Sequence, residues 1–128
     1  MKVIICGGRN YHLTMPDVAW LNQFHVDRGL TEVITGGARG ADTDADLWAQ
    51  HAAIARVVFP ANREEVGEKA GPLRNMRMLR YLIWTVSETY EPRGIIAFPG
   101  GGWTADILRQ ARNLYVEVYE PCVSPLTP

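Results

Sequence analysis

Residues 33–42 read Val-Ile-Thr-Gly-Gly-Ala-Arg-Gly-Ala-Asp. A short β-branched run ends at paired glycines, and an acidic residue then opens a helical pattern. Such a run is typical of a strand buried on both faces, as parallel sheets require. Acidic residues in a first turn favour a helix through its dipole. The stretch therefore predicts a strand–loop–helix unit, and the same order recurs along the chain.

Short apolar runs predict five strands, at 3–6, 33–35, 57–59, 94–98 and 115–119. Helical patterns between them predict helices at 16–28, 42–54, 71–86 and 104–113, the first after Thr14 and the last opening with Thr104 as its cap. Alternating strands and helices with right-handed crossovers place helices on both faces of one sheet. We therefore expect an α/β, Rossmann-like three-layer fold with a mostly parallel five-stranded sheet. Residues 1–119 form a single domain in this interpretation, with 60–70 as its longest polar loop and 120–128 as a C-terminal tail.

Composition narrows the class of protein. The 128 residues fit one domain. A net charge of −1 gives no generally basic surface for nucleic acid, so no direct nucleic-acid binding is expected. The apolar run at the N-terminus is too short for a signal peptide or a membrane span, which predicts a cytoplasmic protein without membrane contact. Cys6, Cys122 and the histidines lack metal-ligand spacing, so neither a metal nor another cofactor is expected.

Glycine-rich loops follow three of the predicted strands. They are Gly-Gly-Arg-Asn-Tyr at 7–11, Gly-Gly-Ala-Arg-Gly-Ala-Asp at 36–42 and Pro-Gly-Gly-Gly-Trp-Thr at 99–104. Ligands of open α/β sheets bind beyond the carboxyl ends of the strands, where glycines let backbone amides approach an anion and helix N-termini add positive charge. Any one loop could be a tight turn, but three at one sheet edge predict a shared anion-binding site. The spacing excludes a P-loop, and the absence of G-x-G-x-x-G argues against ordinary NAD binding.

The helix predicted from residue 71 carries Arg74 and Asn75 in its first turn. A cation there opposes the helix dipole by roughly 0.3–1 kcal/mol, so an anion should compensate it. That anion is either a ligand phosphate or a carboxylate such as Asp42 or Glu68. Solvated surface positions are expected for Arg77 and Arg80.

Two other residues keep alternative interpretations. Asp42, Asp44 and Asp46 are spread around the predicted helix, since residues two apart do not share a face, so Asp42 is either a helix N-cap or a brace for its own loop. Trp103 either stacks on a base or covers a neighbouring helix, and Tyr11 is a second stacking candidate.

Four segments together resemble the SLOG superfamily, in its YspA/YpsA-related branch of bacteria and phages. They are GGRNY at 7–11, TGGARGAD at 35–42, AGPLRNMRML at 70–79 and FPGGGWTAD at 98–106, and they span nearly the whole chain. The resemblance implies a Rossmann-like fold, a homodimer, and a pocket for nucleotides or nucleotide-derived signals. An apolar patch of Trp20, Tyr81 and Trp84 is a candidate dimer surface.

The last segment is also distantly similar to the PGGxGTxxE motif of the lonely-guy phosphoribohydrolases, which cleave the N-glycosidic bond of nucleoside monophosphates. The matching positions are Pro99, Gly100, Gly101 and Thr104. Trp103 stands where the motif has a glycine, and Ile107 stands where it has the glutamate, with Asp106 one residue earlier. Arg74 fits the arginine that these enzymes take from the preceding helix. Arg74 and Asp106 are therefore the catalytic candidates that the resemblance implies.

Three functions follow as hypotheses. The first is a protein that binds a small nucleotide-derived molecule, as a sensor or by sequestering it, with the phosphate on the amides of residues 36–37 and 100–102. The second is a hydrolase of an N-glycosidic or phosphate bond, with Asp106 or Asp42 as the acid/base group. The third is an interaction subunit that has lost the ligand. The predicted ligand-binding residues are Gly7, Gly8, Arg9, Gly36, Gly37, Arg39, Gly40, Asp42, Arg74, Asn75, Pro99, Gly100, Gly101, Gly102, Trp103 and Thr104.

Overall fold

The structure is a computed structural model that describes residues 1–62 and 67–122. The strands are β1 (Lys2–Cys6), β2 (Glu32–Thr35), β3 (Ala55–Val58), β4 (Arg93–Ala97) and β5 (Val118–Tyr119). The helices are α1 (Met15–Arg28), α2 (Ala41–His51), α3 (Ala70–Thr89) and α4 (Gly102–Asn113), and a 3-10 turn, Gly67–Lys69, precedes α3. Strands and helices alternate along the described residues, as the sequence predicts.

The five strands form one sheet in the order β3-β2-β1-β4-β5. All four pairings are parallel, which confirms the predicted α/β, Rossmann-like fold. The central pairing joins β1 to β4 from Lys2–Arg93 to Cys6–Ala97. Strand order reverses between these two strands, and ligands of open α/β sheets bind at such a point.

Helices cover both faces of the sheet, because successive residues of a strand point to opposite sides. One core contains Val3, Ile5, Leu21 and Trp48 from β1, α1 and α2. The other contains Ile4, Cys6, Leu82 and Ile107 from β1, α3 and α4. Trp20 packs against the first core and Tyr81 against the second, so the apolar patch predicted from these two residues and Trp84 does not form.

All four helices start one or two residues earlier than predicted, and at α2 and α4 the N-cap is a glycine. Thr14, which precedes the first predicted helix, caps α1 in a capping box with Asp17. By contrast, α4 starts at Gly102 with Gly101 as its N-cap, so Thr104 lies inside the helix and its predicted role as the cap is wrong. Likewise α2 starts at Ala41 with Gly40 as its N-cap, so Asp42 is not the N-cap.

The two edge strands differ from the predictions, one in its exposure and the other in its length. β3 lies at one edge of the sheet and is mostly exposed instead of buried on both faces. β5, at the other edge, contains only Val118 and Tyr119, because the preceding residues end helix α4: the Val116 N–H donates to the Ala111 carbonyl at 2.9 Å. Of the predicted polar loop, residues 63–66 lie outside the described residues, as do residues 123–128 of the predicted tail. The helices that the structure describes include none long and apolar enough to cross a membrane.

Candidate functional site

A cavity of about 600 Å³ opens beyond the carboxyl ends of β1 and β4, where the strand order reverses. Its volume falls within the range of about 300–1,000 Å³ that is usual for small-molecule sites. The lining residues come from both flanking loops and from α2, α3 and α4: Cys6, Gly7, Gly8, Arg9, Asn10, Tyr11, Ala38, Asp42, Arg74, Asn75, Met78, Pro99, Gly100, Gly101, Gly102, Trp103, Thr104 and Ile107.

The loops after β1 and β4 touch each other directly. The Gly8 N–H donates to the Pro99 carbonyl at 2.8 Å. A Cβ atom added to Gly8 would lie 3.0 Å from that carbonyl oxygen and 3.1 Å from the Cα of Gly100, so a side chain at this position would push the loops apart. The Ala41 N–H also donates to the Gly8 carbonyl, at 3.2 Å, which attaches the loop after β2. The three glycine loops therefore converge.

Two helix N-termini face this region, and their backbone amides are used differently. At α2, the Ala41 N–H is bound by the Gly8 carbonyl, and the Thr43 N–H donates to the Ala38 carbonyl at 3.1 Å. At α4, the N-cap Gly101 provides no side-chain cap, and an added Cβ at Gly101 or Gly102 would have no group of the described residues within 4 Å. The partial positive charge of a helix N-terminus suits an anion. The α4 terminus is thus the more open of the two toward a ligand.

Asp42 and Arg74 both line the cavity, and their charges interact. Both are almost fully buried, and both side chains lie against Gly36. Arg74 donates from Nη1 to the Gly36 carbonyl at 2.6 Å, and Asp42 accepts from the backbone amides of Gly7, Gly36 and Ala38. The predicted loop-brace role of Asp42 fits these contacts. The Gly36 amide, which the sequence assigns to a phosphate, also faces the Asp42 carboxyl group.

The surroundings of Asp42 place its titration close to neutral pH. Burial raises the pKa of its carboxyl group from 3.8 to about 6, although the Arg74 charge and the three backbone amides favour the ionised form. Burial also raises the pKa of the Cys6 thiol, which lines the same cavity, so this cysteine stays protonated. Asp42 is thus a carboxylate in the cavity that can exchange a proton near pH 6.

Trp103 lies over the start of α3 and borders the cavity. An added Cβ at Gly71 would run into the indole, and the Arg74 guanidinium lies 5.5 Å from the centre of the Trp103 rings. The indole therefore covers a neighbouring helix, one of its two predicted roles. Its place in the cavity wall leaves a stacking role open to test.

Asp106 sits behind the cavity wall. Its carboxylate accepts from Asn75 at 3.1 Å and from Gln110 at 2.7 Å, and it forms an ion pair with Arg109. Among the described residues that line the cavity, Asp106 is absent. Its contacts position Asn75, which also donates to the Trp103 carbonyl at 2.8 Å. The catalytic role that the resemblance implies for Asp106 remains a prediction.

A family model described as the YspA, cpYpsA-related SLOG family matches residues 1–65. The chain belongs to this family. No curated protein and no solved structure gives a significant match. The matched part of this SLOG chain includes the loops after β1 and β2, whereas α3, α4 and the loop after β4 lie beyond it.

The SLOG chain gathers most of the predicted ligand-binding residues around the 600 Å³ cavity. Those lining it are Gly7, Gly8, Arg9, Asp42, Arg74, Asn75, Pro99, Gly100, Gly101, Gly102, Trp103 and Thr104. Gly36, Gly37 and Arg39 line a second cavity beside it. Gly40 borders neither cavity; its φ of +80° and its contact with the carbonyls of Gly8 and Arg9 give it a structural role in holding two loops together.

The sequence interpretation missed the apolar part of the wall. Met78 and Ile107 line the cavity beside the polar loops. Met78 lies four residues after Arg74 and Ile107 three residues after Thr104, which are the spacings that share one helix face. Helical spacing from the polar candidates would therefore have identified both residues.

Proposed function

We propose that this chain binds a nucleotide or nucleotide-derived small molecule by placing a phosphate at the N-terminus of α4. The observation that carries the proposal is the open start of α4 at Gly101 and Gly102, in the wall of a cavity at the reversal of strand order. Backbone amides at a helix N-terminus bind phosphate through hydrogen bonds and the helix dipole. Membership of the SLOG family is consistent with a nucleotide-related function.

The rest of the cavity suits the nucleoside part of such a ligand. Met78, Ile107 and Tyr11 provide apolar and aromatic surface next to the polar loops. The Tyr11 ring is held in place because it stacks on Phe98, with 6.0 Å between ring centres, and its hydroxyl donates to Asp17 at 2.5 Å. Ligand sites commonly combine an apolar wall with a few fixed polar groups. We propose that the protein acts as a sensor of this ligand or sequesters it.

Isothermal titration against nucleoside mono- and diphosphates, ADP-ribose and cyclic dinucleotides tests the proposal. We expect at least one ligand of this panel to bind, and the unphosphorylated nucleoside of the same base to bind much more weakly. Absence of binding across the panel at millimolar concentration would refute the proposal.

A nucleotide hydrolase is the second candidate, and the position of Asp42 favours it. This carboxylate borders the cavity and has a pKa of about 6, which suits a general acid or base near neutral pH. Chromatography of nucleoside monophosphates after incubation should then show free base or phosphate. Asp42→Asn should slow this release more than Asp106→Asn, and equal turnover in wild type and Asp42→Asn would remove Asp42 from the reaction.

Homodimerisation and a cytoplasmic location also remain proposals. Trp84 of α3 is 63% exposed and offers apolar surface to a second copy. Cys6 and Cys122 are free thiols, which fits a reducing compartment. The molar mass in solution, measured by light scattering, tests the dimer; a monomer at micromolar concentration would contradict it.

A further inference from the structure

A second cavity of about 360 Å³ lies beside the first. Its wall contains Arg9, Gly36, Gly37, Ala38, Arg39, Pro60, Ala61, Arg74 and Trp103. Four of these residues, Arg9, Ala38, Arg74 and Trp103, also line the first cavity. The two cavities are therefore neighbouring compartments that share a wall.

Positive charge dominates the second compartment. Three arginines line it, and the lining residues that the structure describes include no carboxylate. Arg74 is balanced by Asp42. Arg9 and Arg39 are exposed, and neither side chain forms an ion pair or hydrogen bond with any residue in the described ranges. Arg56, by comparison, pairs with Asp46 at 2.8 Å.

The loop backbone explains why two arginines from separate loops line one compartment. Gly40 adopts a φ of +80°, and an added Cβ would lie 2.5 Å from the carbonyl oxygens of Gly8 and Arg9, so the two loops are in close contact here. A side chain at this position would meet both strain and backbone atoms. The contact brings the loop that carries Arg39 next to the loop that carries Arg9.

Resting on the proposed function, we propose that the second compartment binds a second phosphate, so that the ligand is a nucleotide with a diphosphate or longer phosphate chain. The first phosphate lies at the start of α4 in the first compartment. The next phosphate enters the second compartment, where it binds Arg9 and Arg39. Guanidinium groups bind phosphate oxygens through paired hydrogen bonds, which suits this second position. A monophosphate would leave the second compartment to water.

The experiment compares matched nucleotide pairs by isothermal titration: AMP with ADP, GMP with GDP, CMP with CDP and UMP with UDP. For the base that binds best, we expect the diphosphate to bind about tenfold more tightly or better, since one charge-assisted contact contributes about 1.5–3 kcal/mol. Arg39→Gln, and separately Arg9→Gln, should bring the ratio of the two affinities close to one. The double variant Arg77→Gln/Arg80→Gln removes two exposed arginines of α3 outside both cavities and should keep the wild-type ratio.

The possible outcomes separate this inference from the function on which it rests. If mono- and diphosphates bind wild type equally well, the two-phosphate inference is overturned while nucleotide binding stands. If the ratio stays high in both Arg9→Gln and Arg39→Gln, the second compartment is not where the extra phosphate lies. If no nucleotide binds, the proposed function and this inference fail together.

Discussion

Replacing Arg74 with methionine is expected to lower the free energy of unfolding by about 3 kcal/mol at pH 8, and by clearly less at pH 5. Arg74 is 5% exposed, and its charge faces the buried Asp42 carboxylate. Removing one member of a buried charged pair leaves the other without compensation. Methionine keeps much of the side-chain volume, so loss of charge dominates the effect.

The pH dependence of this effect follows from the titration of Asp42. The pKa of Asp42 in the folded protein, about 6, lies above its ordinary value of 3.8, so stability from the protonated form is full below about pH 4 and is lost as the pH rises through 6. Without Arg74 the folded pKa rises further, because that charge lowers it. At pH 5 the carboxyl group is mostly protonated in either protein, and there is little ionic pairing to lose. At pH 8 the folded variant must either bury an unpaired Asp42 carboxylate or keep Asp42 protonated above its ordinary pKa, and both cost folding free energy.

Urea unfolding at both pH values measures this prediction. Arg77→Met, an exposed position on the same helix, is the matched control and should change stability by no more than about 0.5 kcal/mol. In the double variant Arg74→Met/Asp42→Asn the pH dependence of the loss should disappear. A loss of equal size at pH 5 and pH 8 in Arg74→Met would show that Asp42 is not its origin.

Gly102→Pro should weaken binding of a phosphate-bearing ligand by about 10- to 100-fold without unfolding the protein. Gly102 is the first residue of α4, a position where proline is well tolerated because the N–H has no partner within the helix. The preceding Gly101, with φ −93° and ψ −145°, lies outside the α region, which is the region that a following proline disfavours. The substitution therefore removes one backbone donor while the helix remains.

Gly102→Ala is the matched control, since it adds a methyl group but keeps the N–H. Within the described part of the chain, an added Cβ at this position has no other group within 4 Å, so we expect the fold to accommodate it. Titration calorimetry with the best ligand of the panel should show near wild-type affinity for Gly102→Ala and the loss for Gly102→Pro. Unchanged affinity in Gly102→Pro would move the phosphate away from this amide, and equal losses in both variants would indicate crowding by the side chain.

The central strands and glycine loops were predictable because their signals are local. β-branched runs ending in glycine pairs predict β1, β2 and β4 at nearly their observed bounds. The prediction of Thr104 as the cap was wrong because α4 begins two residues earlier, at Gly102, with Gly101 as an N-cap that has no side chain. β5 was predicted too long because Tyr115, at φ +56°, belongs to the turn that ends α4.

Which groups accept hydrogen bonds from the loop amides could not be predicted, since this depends on contacts between distant parts of the chain. The sequence left Asp42 as one of two possible partners for Arg74, and it gave the Gly36 amide to a phosphate. In the fold, the Arg74 side chain binds the carbonyl of Gly36, which lies 38 positions earlier in the sequence. Only the tertiary structure shows that carbonyls of two loops bind the first amides of α2, whereas the N-terminus of α4 is open.

Two of the three glycine loops follow β1 and β4, adjacent inner strands of the sheet that are joined by five consecutive residue pairs. Fraying of an edge strand would leave this pairing in place, so we expect the cavity to persist until the protein unfolds globally. Occupancy is consequently linked to global unfolding, and a compound present at 100 times its dissociation constant adds about 2.7 kcal/mol. Melting curves recorded across a metabolite library would therefore report directly on what this SLOG protein binds.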